Sequence, residues 1–76
     1  MGRDILEIQI RRIRPNLRII YASESIEEIA RDIDSCGQRE PIHISFEYDS
    51  FRIIDGEKRW RACKRLGLTS IMATIT

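Results

Sequence analysis

Residues 53–75 read IIDGEKRWRACKRLGLTSIMATI and contain one basic segment between two apolar runs. The apolar run that ends before Gly56 is typical of a strand, and the glycine interrupts it. Residues 57–66 have helical periodicity, and Gly67 follows them as a residue that commonly ends helices. The run SIMATI is typical of a further strand. This stretch therefore predicts a strand, a helix and a strand in succession.

An arginine lies on the apolar side of the predicted helix. A helical wheel places Ala62, Cys63 and Leu66 on one face, which must turn toward a sheet. Arg59 lies in the middle of that face, so its guanidinium must reach solvent, pair with a carboxylate or meet an external anion. Because Lys58 and Arg59 are in the first turn, where the helix dipole attracts anions, the pattern favours an external phosphate.

The same residues also have an ordinary structural interpretation. In this alternative Arg59 pairs with Asp55 or Glu57, and the other bases of residues 57–66 only keep the surface hydrated. The chain is then a globular domain with a well-solvated helix and no phosphate site.

Two further elements precede this stretch. The segment LEIQI at residues 6–10 alternates as a half-buried strand does, and Pro15 with Asn16 predicts a turn or an extended connector after it. The segment SIEEIARDIDSCG at residues 25–37 has apolar residues at helical spacing. It opens with a serine and a glutamate spaced as a capping box and closes on a glycine, so it predicts a helix.

A hairpin is predicted between the two helices. The segment PIHISFE at residues 41–47 alternates, YDS supplies a short turn, and FRII at residues 51–54 returns as a second strand. The predicted order is strand, helix, hairpin, helix and strand. This order indicates an α+β fold in a single domain that covers residues 1–76.

The net charge of +1 conceals a segregation of charge along the chain. Residues 23–34 carry five acidic residues against Arg31, and residues 55–67 carry five basic residues against Asp55 and Glu57. Segregated charge produces a local potential, so a basic surface can attract an anion while the molecule as a whole stays near neutral.

The remaining reactive side chains indicate no metal or redox site. Cys36 and Cys63 are widely spaced and lack the histidine or cysteine neighbours of a zinc site. The chain has no leader and no apolar run that could cross a bilayer, so we expect a cytoplasmic protein with reduced thiols. His43 is interpreted as a surface strand residue. Trp60 is interpreted as a cover for the core edge, with base stacking as the alternative.

Residues 53–75 resemble the second conserved box of the ParB N-terminal domain, which is written around GERRxRA and is followed by an AGL turn and a strand. The helix IEEIARDIDSCG, the segment EPIHI and the segment IRRIRPN are similar in order to other parts of that family. The resemblance covers nearly the whole chain and implies the ParB/sulfiredoxin fold, a compact α+β domain with a small mixed sheet and helices packed on it.

The resemblance also implies a function. Better-studied members of the family bind CTP with magnesium and self-associate into a DNA clamp. By this resemblance, Gly56 lets the backbone approach the triphosphate, and Lys58, Arg59 and Arg61 supply positive charge. Glu57 lies near the metal or the attacking water, which makes it the candidate catalytic residue of a magnesium-dependent CTPase.

The sequence departs from the family pattern at several positions. Lys58 replaces the first arginine of the box, which keeps the charge but loses the planar fork that grips phosphate. Glu40 stands where the family has a glutamine, so it adds a negative charge near any bound nucleotide. Residues 1–76 also contain no helix-turn-helix DNA reader. The choice of base, hydrolysis and specific DNA binding are therefore left open.

Other functions are alternatives to nucleotide binding. Helix 57–66 suits a DNA-binding or protein-interaction module that contacts backbone phosphates without a nucleotide. Sulfiredoxin shares the fold, but its catalytic cysteine position is occupied by Glu57, and Cys63 is expected in the core. Related kinases of a small amino acid need an additional acidic base, which the sequence does not identify.

Overall fold

A computed structural model of the protein describes residues 4–15 and 23–76. The described elements are β1 (Leu6–Gln9), a 3-10 turn (Ile10–Arg12), β2 (Ile13–Arg14), α1 (Ser23–Cys36), β3 (Ile42–Glu47), β4 (Ser50–Asp55), α2 (Glu57–Arg65) and β5 (Ser70–Ile75). The predicted order of strand, helix, hairpin, helix and strand is confirmed. The short strand β2 is additional. Neither described helix is long and apolar enough to cross a membrane.

The five strands form one mixed sheet in the order β1-β5-β3-β4-β2. Strands β3 and β4 pair antiparallel as the predicted hairpin, and β1 pairs antiparallel with β5. Strand β3 runs parallel to β5, and β2 runs parallel to β4. The prediction of a small mixed sheet in an α+β domain is confirmed by this topology.

The hydrophobic core is a single cluster of side chains from the sheet and both helices. The central strands contribute residues with no exposed surface, such as Ile42 and Ile44, and the helices cover them. From α1 the buried residues are Ile26, Ala30 and Ile33, and from α2 they include Trp60, Ala62 and Cys63. The apolar faces predicted for both helices are therefore the faces that pack.

Strand β1 ends earlier than its alternation predicts. Ile10 begins the 3-10 turn rather than ending the strand, and its N–H donates to the Thr69 carbonyl at 2.9 Å. The Ile10 side chain is nevertheless buried. In the sequence it therefore looks like the next core-facing residue of the strand. The Asn16 part of the predicted turn lies outside the described residues.

Helix α1 begins two residues before the predicted start. Its first residue is Ser23, so Ser25 lies inside the helix and the predicted capping box is wrong. Helix boundaries depend on backbone hydrogen bonds that apolar spacing does not encode. The predicted end at Gly37 agrees with the structure, because Gly37 has a φ of 78° and donates its N–H to the Ile33 carbonyl at 2.8 Å.

The hairpin between β3 and β4 has a two-residue turn. Tyr48 and Asp49 both have positive φ, at 48° and 67°, as a type I′ turn requires. Ser50, which the sequence assigned to the turn, is the first residue of β4, and its hydroxyl donates to the Glu47 carbonyl at 3.2 Å.

The turn from β4 into α2 passes very close to β3. Gly56 is the N-cap residue of α2 and has a φ of 98°. A Cβ at this position would lie 2.7 Å from Cγ2 of Ile42 and 3.1 Å from Nη1 of Arg59. Only glycine fits both the backbone conformation and the space, so the start of α2 is held against the centre of the sheet.

We expect Gly56→Ala to lower the free energy of unfolding by about 2–4 kcal/mol, because the methyl group must adopt a positive φ and displace the fully buried Ile42. Gly67→Ala is the matched control, since Gly67 has a φ of 78° but no atom within 4 Å of the added Cβ. The control is expected to cost about 1–2 kcal/mol. Urea unfolding followed by tryptophan fluorescence measures both, and equal losses would contradict the close approach.

Candidate functional site

A cleft lies at the N-terminus of α2. Its volume is about 260 Å³, and its lining residues are Ile29, Asp55, Gly56, Glu57, Lys58 and Arg59. No side chain of the N-cap residue can cap the helix there, because that residue is Gly56. Two acidic and two basic side chains therefore border this space, and the positive end of the helix dipole is the feature that favours an anion there.

A second cleft adjoins the first and shares two of its lining residues, Ile29 and Arg59. It has a volume of about 370 Å³ between α1 and the segment after it, and its lining residues are Glu28, Ile29, Asp32, Ile33, Gln38, Arg39, Glu40 and Arg59. This wall carries three carboxylates. The guanidinium of Arg59 thus lies where the cleft at the helix N-terminus meets this more acidic one.

Arg59 forms an ion pair with Glu40 in the structure. Its Nη2 lies 3.0 Å from the Glu40 carboxylate, and its Nη1 donates to the Pro41 carbonyl at 3.4 Å. The sequence left three possibilities for this guanidinium, namely solvent, a carboxylate or an external anion. In the structure it pairs with a carboxylate, but that carboxylate belongs to neither Asp55 nor Glu57. The Glu40 side chain is 73% exposed, so the pair contributes little stability and can exchange for another anion.

The segment that carries Glu40 is held by one amide side chain. Nε2 of Gln38 donates to the Glu40 carbonyl and to the Met72 carbonyl, both at 2.9 Å. Oε1 of Gln38 accepts from the Met72 N–H at 2.8 Å. Because these bonds fasten the segment to β5, the backbone at Glu40 has a defined position opposite α2. Gln38 has no local sequence signal, since its amide pairs with a strand that is distant in sequence.

Glu57 is turned into the protein rather than toward solvent. Its side chain is only 4% exposed, and the same carboxylate oxygen accepts from Nε and Nη2 of Arg61 at 3.1 and 2.9 Å. Arg61 is therefore the counter-ion of a buried carboxylate, and it is not among the residues that line the two clefts. The structure thus brings Gly56, Lys58, Arg59 and Glu40 together, with Glu57 buried beneath them.

The other residues of α2 mostly serve the core. Trp60 is buried, as expected for a cover of the core edge, and Nζ of Lys64 lies 5.0 Å from the centre of its ring. Within the described part of the chain, its buried Nε1 has no hydrogen-bond partner. Cys63 is almost fully buried, and burial raises the pKa of its thiol, which agrees with an inert core residue.

Cys36 and His43 lie away from the clefts' walls. A hydrogen bond from Arg39, supported by Ser35, holds the pKa of the exposed Cys36 thiol below its usual value. Nδ1 of His43 is hydrogen-bonded to the Thr74 hydroxyl across β3 and β5. In residues 4–15 and 23–76, no three histidine, cysteine or acidic residues are grouped closely enough to hold a metal ion.

The sequence matches a known protein family. The ParB N-terminal domain family matches residues 2–76. The chain belongs to this family. A nucleoid occlusion protein from a Geobacillus species is 40% identical, and the match covers 95% of this chain but 27% of that protein. The ParB chromosome-partitioning protein of Myxococcus xanthus is 33% identical, over 87% of this chain and 22% of that protein. The chain thus spans about a quarter of the length of these relatives.

Solved structures confirm the ParB/sulfiredoxin fold. The ParB protein of Caulobacter crescentus complexed with CTP-gamma-S matches with a TM-score of 0.86 and 25% identity, over 96% of this chain and 44% of that chain. The same protein complexed to the centromeric parS site matches with a TM-score of 0.84 and 27% identity, over 93% and 40%. Sulfiredoxin from Arabidopsis thaliana matches with a TM-score of 0.87 and 24% identity, over 96% and 84%, and at that identity the likeness concerns the fold alone.

We expect Arg61→Ala to lower the free energy of unfolding by about 2–3 kcal/mol, because it removes a guanidinium that is hydrogen-bonded to the buried Glu57 carboxylate. Arg65→Ala on the same helix is the control. Its partner Glu27 is exposed at 3.4 Å, so the expected loss is at most about 0.5 kcal/mol. Thermal and urea unfolding measure both variants, and similar losses would show that Arg61 does not neutralise a buried charge.

Proposed function

We propose that this domain binds a nucleoside triphosphate, with CTP as the expected nucleotide, and that the phosphates lie at the N-terminus of α2. The observation that carries the proposal is the cleft at Gly56, where a helix N-terminus without a side-chain cap meets Lys58 and Arg59. Membership of the ParB N-terminal domain family supports it, as does the structural likeness to a ParB protein complexed with CTP-gamma-S.

Each residue at the cleft would contribute to phosphate binding in a different way. Gly56 allows the backbone to approach the phosphates without a side chain in between. Lys58 supplies a compact charge, and Arg59 supplies a planar guanidinium with several donors. Both residues lie in the first turn, so phosphate would offset the unfavourable interaction of their charges with the helix dipole.

The adjoining cleft suits the nucleoside part of the ligand. It shares Ile29 and Arg59 with the phosphate cleft, so one ligand can extend across both. Glu28, Asp32 and Glu40 make this second cleft unfavourable for further phosphate. Carboxylates accept hydrogen bonds, and ribose hydroxyls and base amino groups donate them, so a sugar and an amino-bearing base are complementary to this wall.

Binding would require Arg59 to change its partner. The guanidinium is held by Glu40 in the structure, and a phosphate at the α2 N-terminus offers more charge than one carboxylate does. Glu40 therefore acts as a resident anion that the nucleotide must displace. This role differs from a direct contact between Glu40 and the nucleotide, which remains the alternative.

Magnesium would accompany the nucleotide and neutralise part of the phosphate charge. A magnesium ion bound with a nucleotide would be held mainly by phosphate oxygens and water. Asp55 borders the phosphate cleft and is a candidate for a single carboxylate ligand. Hydrolysis would require Glu57 to leave Arg61, so the geometry favours binding over catalysis.

The alternative that helix α2 binds DNA directly has less support. Its residues Arg59, Arg61 and Arg65 each pair with a carboxylate within the domain, so little of their charge is left for backbone phosphates. Self-association into a DNA clamp and a part in chromosome partition or nucleoid occlusion follow from the family likeness. They remain proposals for this chain, which matches only part of its relatives.

We expect calorimetric titration with CTP, ATP, GTP and UTP in magnesium buffer to show saturable binding of at least one nucleotide. Arg59→Ala should weaken that binding at least tenfold, because it removes the guanidinium between the clefts. Arg65→Ala removes the same charge from the far end of α2 and should leave the affinity unchanged. The proposal fails if no triphosphate binds to a folded chain.

We expect Glu40→Gln to tighten nucleotide binding about twofold to fivefold. The substitution removes an exposed ion pair worth roughly 0.5–1 kcal/mol that competes with phosphate for Arg59. Asp32→Asn is the control, because Asp32 lines the same cleft but pairs with Arg39 instead. If Glu40→Gln weakens binding, Glu40 contacts the nucleotide directly and is not a resident anion.

A further inference from the structure

A third cleft lies at the hairpin end of the sheet, away from the two clefts at α2. Its volume is about 470 Å³, and its lining residues are Arg14, Pro15, Glu47, Tyr48, Ser50 and Arg52. None of these residues lines either cleft of the proposed nucleotide site. The nucleotide site therefore does not explain why two arginines and a tyrosine surround this cleft.

The two arginines lie directly opposite each other in the sheet. Strands β2 and β4 are parallel, and their register pairs Arg14 with Arg52 and Ile13 with Phe51. Ile13 and Phe51 are buried, so both arginines point away from the core on the opposite face of the sheet. Two guanidiniums on neighbouring strands repel each other, and anions beside them reduce that repulsion.

The positive charge at this end of the sheet has little compensation. Among the residues that the structure describes, Glu47 is the one acid that lines the cleft. It lies 3.8 Å from Arg52 and also accepts a hydrogen bond from the Ser45 hydroxyl. In the described ranges, no carboxylate forms an ion pair with Arg12 or Arg14, and the Arg12 guanidinium lies 5.2 Å from the centre of the Phe51 ring. This surface differs from α2, whose three arginines are all paired.

Tyr48 lies at the edge of the same cleft, and its exposure and backbone conformation are unusual for an aromatic residue. It is 98% exposed, so it contributes nothing to the core. Its φ of 48° is a conformation in which asparagine or glycine is favoured and a bulky side chain is strained. Neighbouring aromatic residues pack normally, since Phe46 and Phe51 have ring centres 5.1 Å apart. An exposed, strained ring beside opposed arginines breaks local sequence preferences, as residues at functional sites often do.

We propose that this surface, formed by Arg14, Tyr48 and Arg52, binds a single-stranded nucleic acid. The two guanidiniums donate hydrogen bonds to consecutive phosphates of the strand, and a base stacks on the Tyr48 ring. Phosphates relieve the repulsion between the opposed arginines. Single strands suit the surface better than a duplex, because the bases of a duplex are stacked on one another and are not available to an aromatic ring.

The first test uses fluorescence anisotropy of a labelled 12-nucleotide thymidine strand with the whole 76-residue chain. Binding is expected, and the logarithm of the affinity should fall with the logarithm of salt concentration with a slope of about −1.4, as two phosphate contacts require. Tyr48→Asn should weaken binding about fivefold or more through loss of stacking. The same change should leave the melting temperature unchanged or raise it, because asparagine suits the turn.

The second test removes the opposed charges. Arg14→Gln with Arg52→Gln should weaken strand binding about tenfold or more and remove most of the salt dependence. Its melting temperature should not fall, because like charges are removed. The control is Arg31→Gln with Arg65→Gln, which makes the same change in net charge on the helices and should retain the affinity.

Three outcomes would overturn the inference. The first is an equal loss of affinity in both double variants, which indicates general electrostatic attraction. The second is equal binding of a 12-base-pair duplex with no effect of Tyr48→Asn, which indicates a duplex surface. The third is binding to phosphatidylserine vesicles that depends on Arg14 and Arg52 while the strand does not bind, which indicates a membrane surface. Arg59→Ala separates this surface from the nucleotide site, because it should not affect strand binding.

Discussion

The close approach of Gly56 to Ile42 is the constraint on which the rest of the domain depends. A helix that starts this near to the central strand must have glycine at a positive φ, since a Cβ would lie 2.7 Å from Cγ2 of Ile42. The contact determines where α2 begins, and so it determines where Arg59 lies. With α2 in this position, Ala62 and Cys63 enter the core and the arginine reaches the segment before β3.

The distribution of charge follows from this placement. The arginines of α2 meet carboxylates from three parts of the fold, namely Glu40 before β3, Glu57 in the same helix and Glu27 in α1. These pairs differ in exposure, and so in how easily each can be exchanged. Glu57 is buried and its pair is structural, whereas Glu40 is exposed and its pair with Arg59 is weak. One helix therefore carries a stabilising ion pair and a replaceable one within a single turn.

Much of the fold could be predicted from local pattern. Helix α2, the hairpin and β5 follow from apolar spacing and from glycines at element ends, and their bounds agree closely with the structure. The exceptions have physical reasons. Ile10 alternates with the strand before it but is buried from a 3-10 turn, and β2 has only two residues, too few to produce a period. At the candidate site, the pattern identified Gly56, Lys58 and Arg59 but not Gln38, whose partner is Met72.

The sequence by itself determined the α+β class, the order of the main elements, the family and the basic turn after Gly56, because each of these is carried by residues close together in the chain. Only the tertiary structure decided that Arg59 pairs with Glu40 rather than with Asp55 or Glu57, and that the Glu57 carboxylate is buried. It also decided that Arg14 lies opposite Arg52. These contacts depend on which strands become neighbours and which face each side chain takes, and local periodicity encodes neither.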